Sequence, residues 1–161
     1  MRRLHRHEGQ AAVEFILMFP FVLMLFLFIV EFGFVLYSYI SVIQSAAEAA
    51  RFAAIGNPPA GGSCTSGDGT VQGRALASSN VPVTCAEVIV TYQPAKPVVR
   101  GDIVAVKVNH VYTPVTPVGK ILTLLSFSTF PSTITMGSCF DARLETGPTV
   151  QTNVTIGAGC P

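Results

Sequence analysis

The stretch EGQAAVEF, residues 8–15, places a carboxylate, Glu14, at the mouth of a run of uncharged, overwhelmingly apolar residues that extends from 15 to 30. A carboxylate entering an apolar phase costs several kcal/mol unless it is paired, so the chemistry offered here is ion pairing, and an amine suits it. The other reactive groups are four cysteines, Cys64, Cys85, Cys139 and Cys160. They form no CxxC pair and no Cys/His cluster with zinc spacing, so they do not read as a metal site. Their even number in a small domain fits disulfides made in an oxidising compartment. Three pairings are open, and the two short, equal gaps favour Cys64 with Cys85 and Cys139 with Cys160. His110 is the only histidine beyond the N-terminal segment, and it shares a strand face with Val108 and Tyr112, as a structural histidine would. Glu31 lies 17 residues beyond Glu14, which at about 100° per residue puts the two on different helix faces, so they are no catalytic carboxylate pair. Glu31 then reads as a carboxylate near a membrane surface, within reach of water. No serine sits in a nucleophile elbow, and the Gly-rich loop at 56–69 lacks the Gly-Lys-Ser/Thr ending that cradles phosphate. The sequence therefore predicts no catalytic residues, no cofactor and no metal. Without a basic patch beyond the N-terminus it predicts no nucleic-acid partner either. Arg100-Gly101-Asp102 between two strands reads as a turn before it reads as an adhesive motif.

The elements that carry these groups follow from composition and periodicity. The chain has 161 residues, of which 50% are hydrophobic and 12% charged, with a net charge of +1. That is too apolar for an ordinary soluble domain, and the excess is concentrated in residues 15–37, where Glu31 is the one charged residue. A bilayer core of about 30 Å needs roughly 20 helical residues, so 15–37 is long enough to span it. Arg2, Arg3 and Arg6 precede the run, which predicts a cytoplasmic N-terminus and an extracytoplasmic remainder. An ordinary signal peptide is the competing reading, with Ser45-Ala46-Ala47 as its cleavage site, but the apolar core is too long for one. Helix-compatible residues continue past the span, predicting one helix from about 11 to 55, roughly 67 Å long at about 1.5 Å per residue. Gly56-Asn57-Pro58-Pro59 stops it. Pro20 removes one hydrogen bond inside the span, and Ala46, Ala50 and Ala53 form a stripe that lets a helix or sheet approach closely. Beyond the loop, Val71, Ala75 and Leu76 predict a short helix ending near Asn80. Alternating patterns predict strands at 87–92, 103–112 and 133–145, with an apolar insertion, KILTLLSFSTF, at 120–130 expected to pack in the core. Asn153-Val154-Thr155 matches a glycosylation acceptor. The fold class is α+β: a long N-terminal membrane-spanning helix packed in its outer half on a small antiparallel sheet.

Gly9 followed by Glu14 and Phe15, after a basic leader and before an apolar helix, resembles the processing site of type IV pilin-like proteins. With Pro20, the Glu31-Phe32-Gly33 triplet, the Ala-rich segment around Arg51 and the Tyr112-Thr113-Pro114 turn, the chain resembles TadE-like minor pseudopilins of the tight-adherence (Flp) pilus system. The resemblance implies a leader at 1–9, cut after Gly9 by a prepilin peptidase so that Gln10 becomes the N-terminus. It further implies a helix at 10–55 and an extracytoplasmic domain at 56–161. Gln10 stands where typical type IV pilins carry phenylalanine. Glu14 and Phe15 become subunit-docking residues, with Glu14 meeting the new α-amine of a neighbouring subunit. Glu31, Gly33, Ala46, Ala50 and Arg51 become candidate helix contacts. The implied partners are the peptidase, sister pseudopilins, platform proteins and membrane lipid, at the bacterial cytoplasmic membrane in a single pass, and the implied role is structural rather than enzymatic. The alternative is a one-pass tether for an extracytoplasmic binding or adhesion module. The tail after Glu145 matches no part of the pattern.

Overall fold

The computed structural model describes residues 6–93, 97–117, 120, 133–149 and 154–160. Five regular elements organise them: α1 (Arg6–Ala54), α2 (Val71–Ser78), β1 (Val88–Gln93), β2 (Ile103–Tyr112) and β3 (Ile134–Arg143). A single 3₁₀ turn, Cys85–Glu87, leads into β1. The long helix starts about a turn earlier than its expected start near residue 11, because nothing between Arg6 and Ala12 is stronger than the roughly 1 kcal/mol that Gly9 costs a helix. Gly9 consequently lies inside α1. Pro20 is accommodated within it. The helix ends where Gly56 takes a φ of 88° and its N–H returns to the Ala53 carbonyl at 2.9 Å, a left-handed cap that only glycine adopts without strain. The Asn57 side-chain amide donates to the Phe52 carbonyl at 2.9 Å, satisfying another of the last-turn acceptors.

Contacts divide the chain into two compact units. Of the described residues, one unit holds those up to Val35 together with 113–117, 120 and 133, and the other holds the rest. The first contains the apolar stretch of α1, most of whose side chains are exposed, Phe15, Leu25 and Ile29 among them, while Met24, Leu27 and Val30 are half-buried.

In the second unit the three strands lie in the order β1-β2-β3, antiparallel throughout, with Val90 opposite Val106 and Val106 opposite Phe140. Strand alternation sends Val88, Val90, Tyr92, Val104, Val106 and Val108 to one face, where all are buried. The C-terminal turns of α1 cover that face with Val42, Ala46, Ala49, Ala50 and Ala53, and α2 adds Val71 and Ala75. Small side chains on α1 let the backbones come close: Ser45 Oγ donates to the Ala75 carbonyl at 2.8 Å, and Ser41 Oγ accepts from the Asn80 N–H at 2.8 Å. The valines supply most of the burial energy, each worth about 1.5–3 kcal/mol when removed from water. Thr70 caps α2, its hydroxyl accepting from the Gly73 N–H at 3.0 Å.

The tail that the sequence left unplaced is part of this unit. Thr155 and Ile156 add to the free edge of β1, where the Tyr92 N–H donates to the Thr155 carbonyl at 2.9 Å and Ile156 forms a parallel bridge with Tyr92. It then crosses the outer face of the sheet. A Cβ on Gly157 would stand 3.0 Å from the Thr91 methyl, so a glycine permits the close passage. The Cys160 N–H donates to Asp141 Oδ1 at 3.1 Å, and a disulfide joins Cys139 to Cys160. A second disulfide joins Cys64 to Cys85 and ties the loop before α2 to the 3₁₀ turn. The expected apolar insertion at 120–130, apart from Lys120, lies outside the described residues, as do Arg2, Arg3 and Asn153.

Candidate functional site

Gly9, Gln10, Glu14 and Phe15 are brought into two turns of α1 by the helical repeat alone. All four are exposed, and no atom lies within 4 Å of where a Cβ on Gly9 would stand. Gln10 and Glu14 are one turn apart, and Gln10 Nε2 donates to Glu14 Oε1 at 3.3 Å. Phe15 and Phe19 pack one turn apart on the adjoining face, their rings tilted by 39° with centroids 5.7 Å from each other. The result is a carboxylate beside an aromatic pair at the start of a helix whose next several turns present only apolar atoms outward. Chemically it can accept a cation or hydrogen-bond donors at the edge of an apolar phase.

The candidate helix-contact residues fall into three groups. Ala46 and Ala50 are buried in the chain's own core. Glu31 is half-buried, and its carboxylate accepts hydrogen bonds from the Val115 N–H at 3.2 Å, the Thr116 N–H at 2.8 Å and the Thr116 hydroxyl. Gly33 and Arg51 are exposed, Arg51 lying 3.7 Å from Glu48, which also meets Arg74 at 3.5 Å. These two ion pairs are solvent-exposed and contribute little.

Sequence reasoning missed two polar assemblies and one buried hydroxyl. Glu87 meets the buried His110 ring at Nδ1, 3.2 Å away, and its carboxylate also accepts from the N–H of Thr84 at 2.6 Å and the hydroxyl of Thr84 at 3.0 Å. Burial pushes the Glu87 carboxyl up, but the Thr84 bonds, the His110 ring and the Val111 N–H outweigh it and hold the group below the ordinary glutamate value. The signal was present in Thr84-Cys85-Ala86-Glu87, which has the Thr-x-x-Glu spacing of a capping box. Asp68 organises the loop before α2, accepting from Thr70 Oγ1 at 2.6 Å and from the N–H groups of Thr65 and Thr70 at 2.8 and 2.9 Å. Those bonds, the Thr70 hydroxyl foremost, lower its carboxyl below the usual range. Tyr92 is fully buried, its hydroxyl has no hydrogen-bond partner among the described residues, and burial pushes its pKa up to about 12.

All four cysteines are in disulfides, and among the described residues no group of three or more His, Cys, Asp or Glu is placed to hold a metal ion. The Arg100-Gly101-Asp102 motif is a turn: Gly101 has a φ of 95°, and Asp102 accepts from the Val99 N–H at 2.8 Å.

Among the described residues one helix, Gly9–Ala54, is long and apolar enough to cross a membrane. Residues 9–51 match the family model described as TadE-like protein, in agreement with the resemblance carried by Gly9, Glu14 and Phe15. No curated protein and no solved structure matches the chain.

Proposed function

We propose that the chain is a structural component of a tight-adherence (Flp) pilus assembly system, a TadE-like pseudopilin processed by a prepilin peptidase after Gly9. Similarity to the TadE-like family implies a pilus-associated component with a membrane-spanning helix and a structural rather than catalytic role. The observation that carries the finer reading is the coincidence of Gly9, exposed Glu14 and an outward-facing apolar helix at the point where the family match begins. Gly9 supports processing in a second way: glycine is among the weakest helix formers, so the first turns of α1 open most easily there to admit a peptidase.

Cutting removes the leader and gives Gln10 a free α-amine. In the lone monomer Glu14 reaches water and headgroups, and its bond to Gln10 is an exposed one. When α1 packs among other subunits its surroundings become drier, and a carboxylate there needs a partner of opposite charge. A neighbour's Gln10 amine is that partner and fixes the register of docking. Prepilin peptidase, sister pseudopilins and platform proteins are the corresponding partners, and the cytoplasmic membrane is the location, with the domain of β1–β3 on the extracytoplasmic side.

N-terminal analysis of protein from native membranes tests this. The mature chain is expected to start at Gln10, and Gly9→Val is expected to retain the leader. An uncut Gly9–Gln10 bond in wild type would leave a one-pass tether carrying an extracytoplasmic binding module.

A further inference from the structure

Glu31 directly follows Val30, the last residue of the uncharged run, and stands about 24 Å along the helix from Phe15 at about 1.5 Å per residue. That places it near the outer edge of a roughly 30 Å hydrocarbon core. Exposed Tyr37 and Tyr39 follow along α1, where aromatic side chains with a polar tip favour the headgroup level. At this height the Glu31 carboxylate bonds within its own chain. It holds the Val115 and Thr116 N–H groups and the Thr116 hydroxyl, and charge-assisted bonds of this kind are about twice as strong as neutral ones. The consequence is to fix Val115, which is 68% exposed, in the same compact unit as the apolar helix. Pro114 and Pro117 flank it, and in the sequence from 113 to 133 Lys120 is the only charged residue, a cation suited to anionic headgroups.

We infer that Glu31 anchors a second lipid contact: its carboxylate fixes residues 113–117 at the membrane surface, so that Val115 rests at the boundary of headgroups and acyl chains. This rests on α1 spanning the bilayer. It gives Glu31 a role within its own chain and makes the connection after β2 continuous with the membrane-facing surface of α1.

The chain has no tryptophan, so one introduced indole reports alone. Full-length protein carrying Val115→Trp would be reconstituted in phosphatidylcholine/phosphatidylglycerol vesicles containing lipids brominated either near the carbonyl or deep in the chain. Blue-shifted emission is expected, with stronger quenching by the shallow bromines. Adding Glu31→Ala is expected to red-shift the emission and remove most of that quenching, while Glu31→Gln, which keeps one acceptor oxygen, removes part of it and serves if the alanine variant does not fold. Phe28→Trp, in the apolar run, reports on the span itself through the deep bromines. A quenched Trp at 28 with a water-like, unquenched Trp at 115 overturns the inference and leaves the span standing. Equal quenching of Trp at 115 with Glu31 and with alanine or glutamine in its place overturns the anchoring role. Failure of both indoles to be quenched removes the spanning helix and this contact together.

Discussion

Replacing Gly56 by alanine strikes the point where α1 ends against the segment after β3. Two costs add. Gly56 has a φ of 88°, and a residue with a Cβ held in the left-handed region loses about 1–2 kcal/mol. The new Cβ would also stand 2.3 Å from Thr146 Oγ1 and 2.9 Å from the Gly147 carbonyl. Thr146 must then move, and its hydroxyl gives up the 2.8 Å bond it donates to the Ile55 carbonyl, worth about 1 kcal/mol. The total is about 2–3 kcal/mol, before any loss at the neighbouring bond from the Glu145 N–H to the Ala54 carbonyl, 2.7 Å long. Gly101→Ala is the control, because Gly101 has a similar φ of 95° and nothing within 4 Å of where the added methyl would stand. It should lose the backbone contribution alone. Urea unfolding of the detergent-solubilised full-length chain, followed by near-ultraviolet circular dichroism of the tyrosines and disulfides, measures both. If Gly56→Ala is no more destabilising than Gly101→Ala, the packing of Thr146 on the helix end does not stabilise the domain and the reasoning fails.

Glu14→Gln is expected to leave protein level, membrane insertion, both disulfides and processing at Gly9 unchanged, since Glu14 is exposed in the monomer, yet to lower co-purification with sister pseudopilins and reduce piliation; normal recovery and piliation would make it a tolerated interfacial residue. Tyr92→Phe removes a buried hydroxyl without a partner among the described residues, so stability at neutral pH should change by less than about 1 kcal/mol or rise, and a larger loss in urea unfolding would reveal a bond to that hydroxyl. Because the folded pKa of Tyr92 is raised to about 12 from 10.0, the unfolded chain releases its proton first and wild-type stability should fall as pH climbs from 10 towards 12, a loss that the phenylalanine variant shows less of. The sign is opposite for Glu87: its folded pKa is lowered, so its contribution is present above the ordinary value of 4.5 and is lost as pH falls through the lower folded value. Glu87→Gln should therefore be less stable than wild type at pH 7, with the gap closing in acid; a gap independent of pH would assign the effect to packing rather than charge.

Local signals determined much of this protein. The length and apolarity of 15–37 require a helix that buries no core of its own, Gly56-Asn57-Pro58-Pro59 ends it, and period-two alternation in residues 103–112 gives β2 at its observed bounds. Gly9, Glu14 and Phe15 are legible for the same reason, since their arrangement depends only on the helical repeat. Tertiary structure alone decided matters of distance along the chain. Ala46 and Ala50 lie in the chain's own core because strands some forty to sixty residues later place their valines over them, whereas a small-residue stripe by itself says only that something approaches closely. The carboxylate of Glu31 meets Thr116, 85 residues away, and no periodicity encodes such a pairing. The tail from 154 to 160 has too little alternation to read as an element, and it is held by an edge of β1, by Asp141 and by Cys139, partners that exist in one place only after the sheet has formed. Repeating patterns fix which face a residue takes within its element, but what that face meets is set by long-range closure of the chain, which a single sequence does not state.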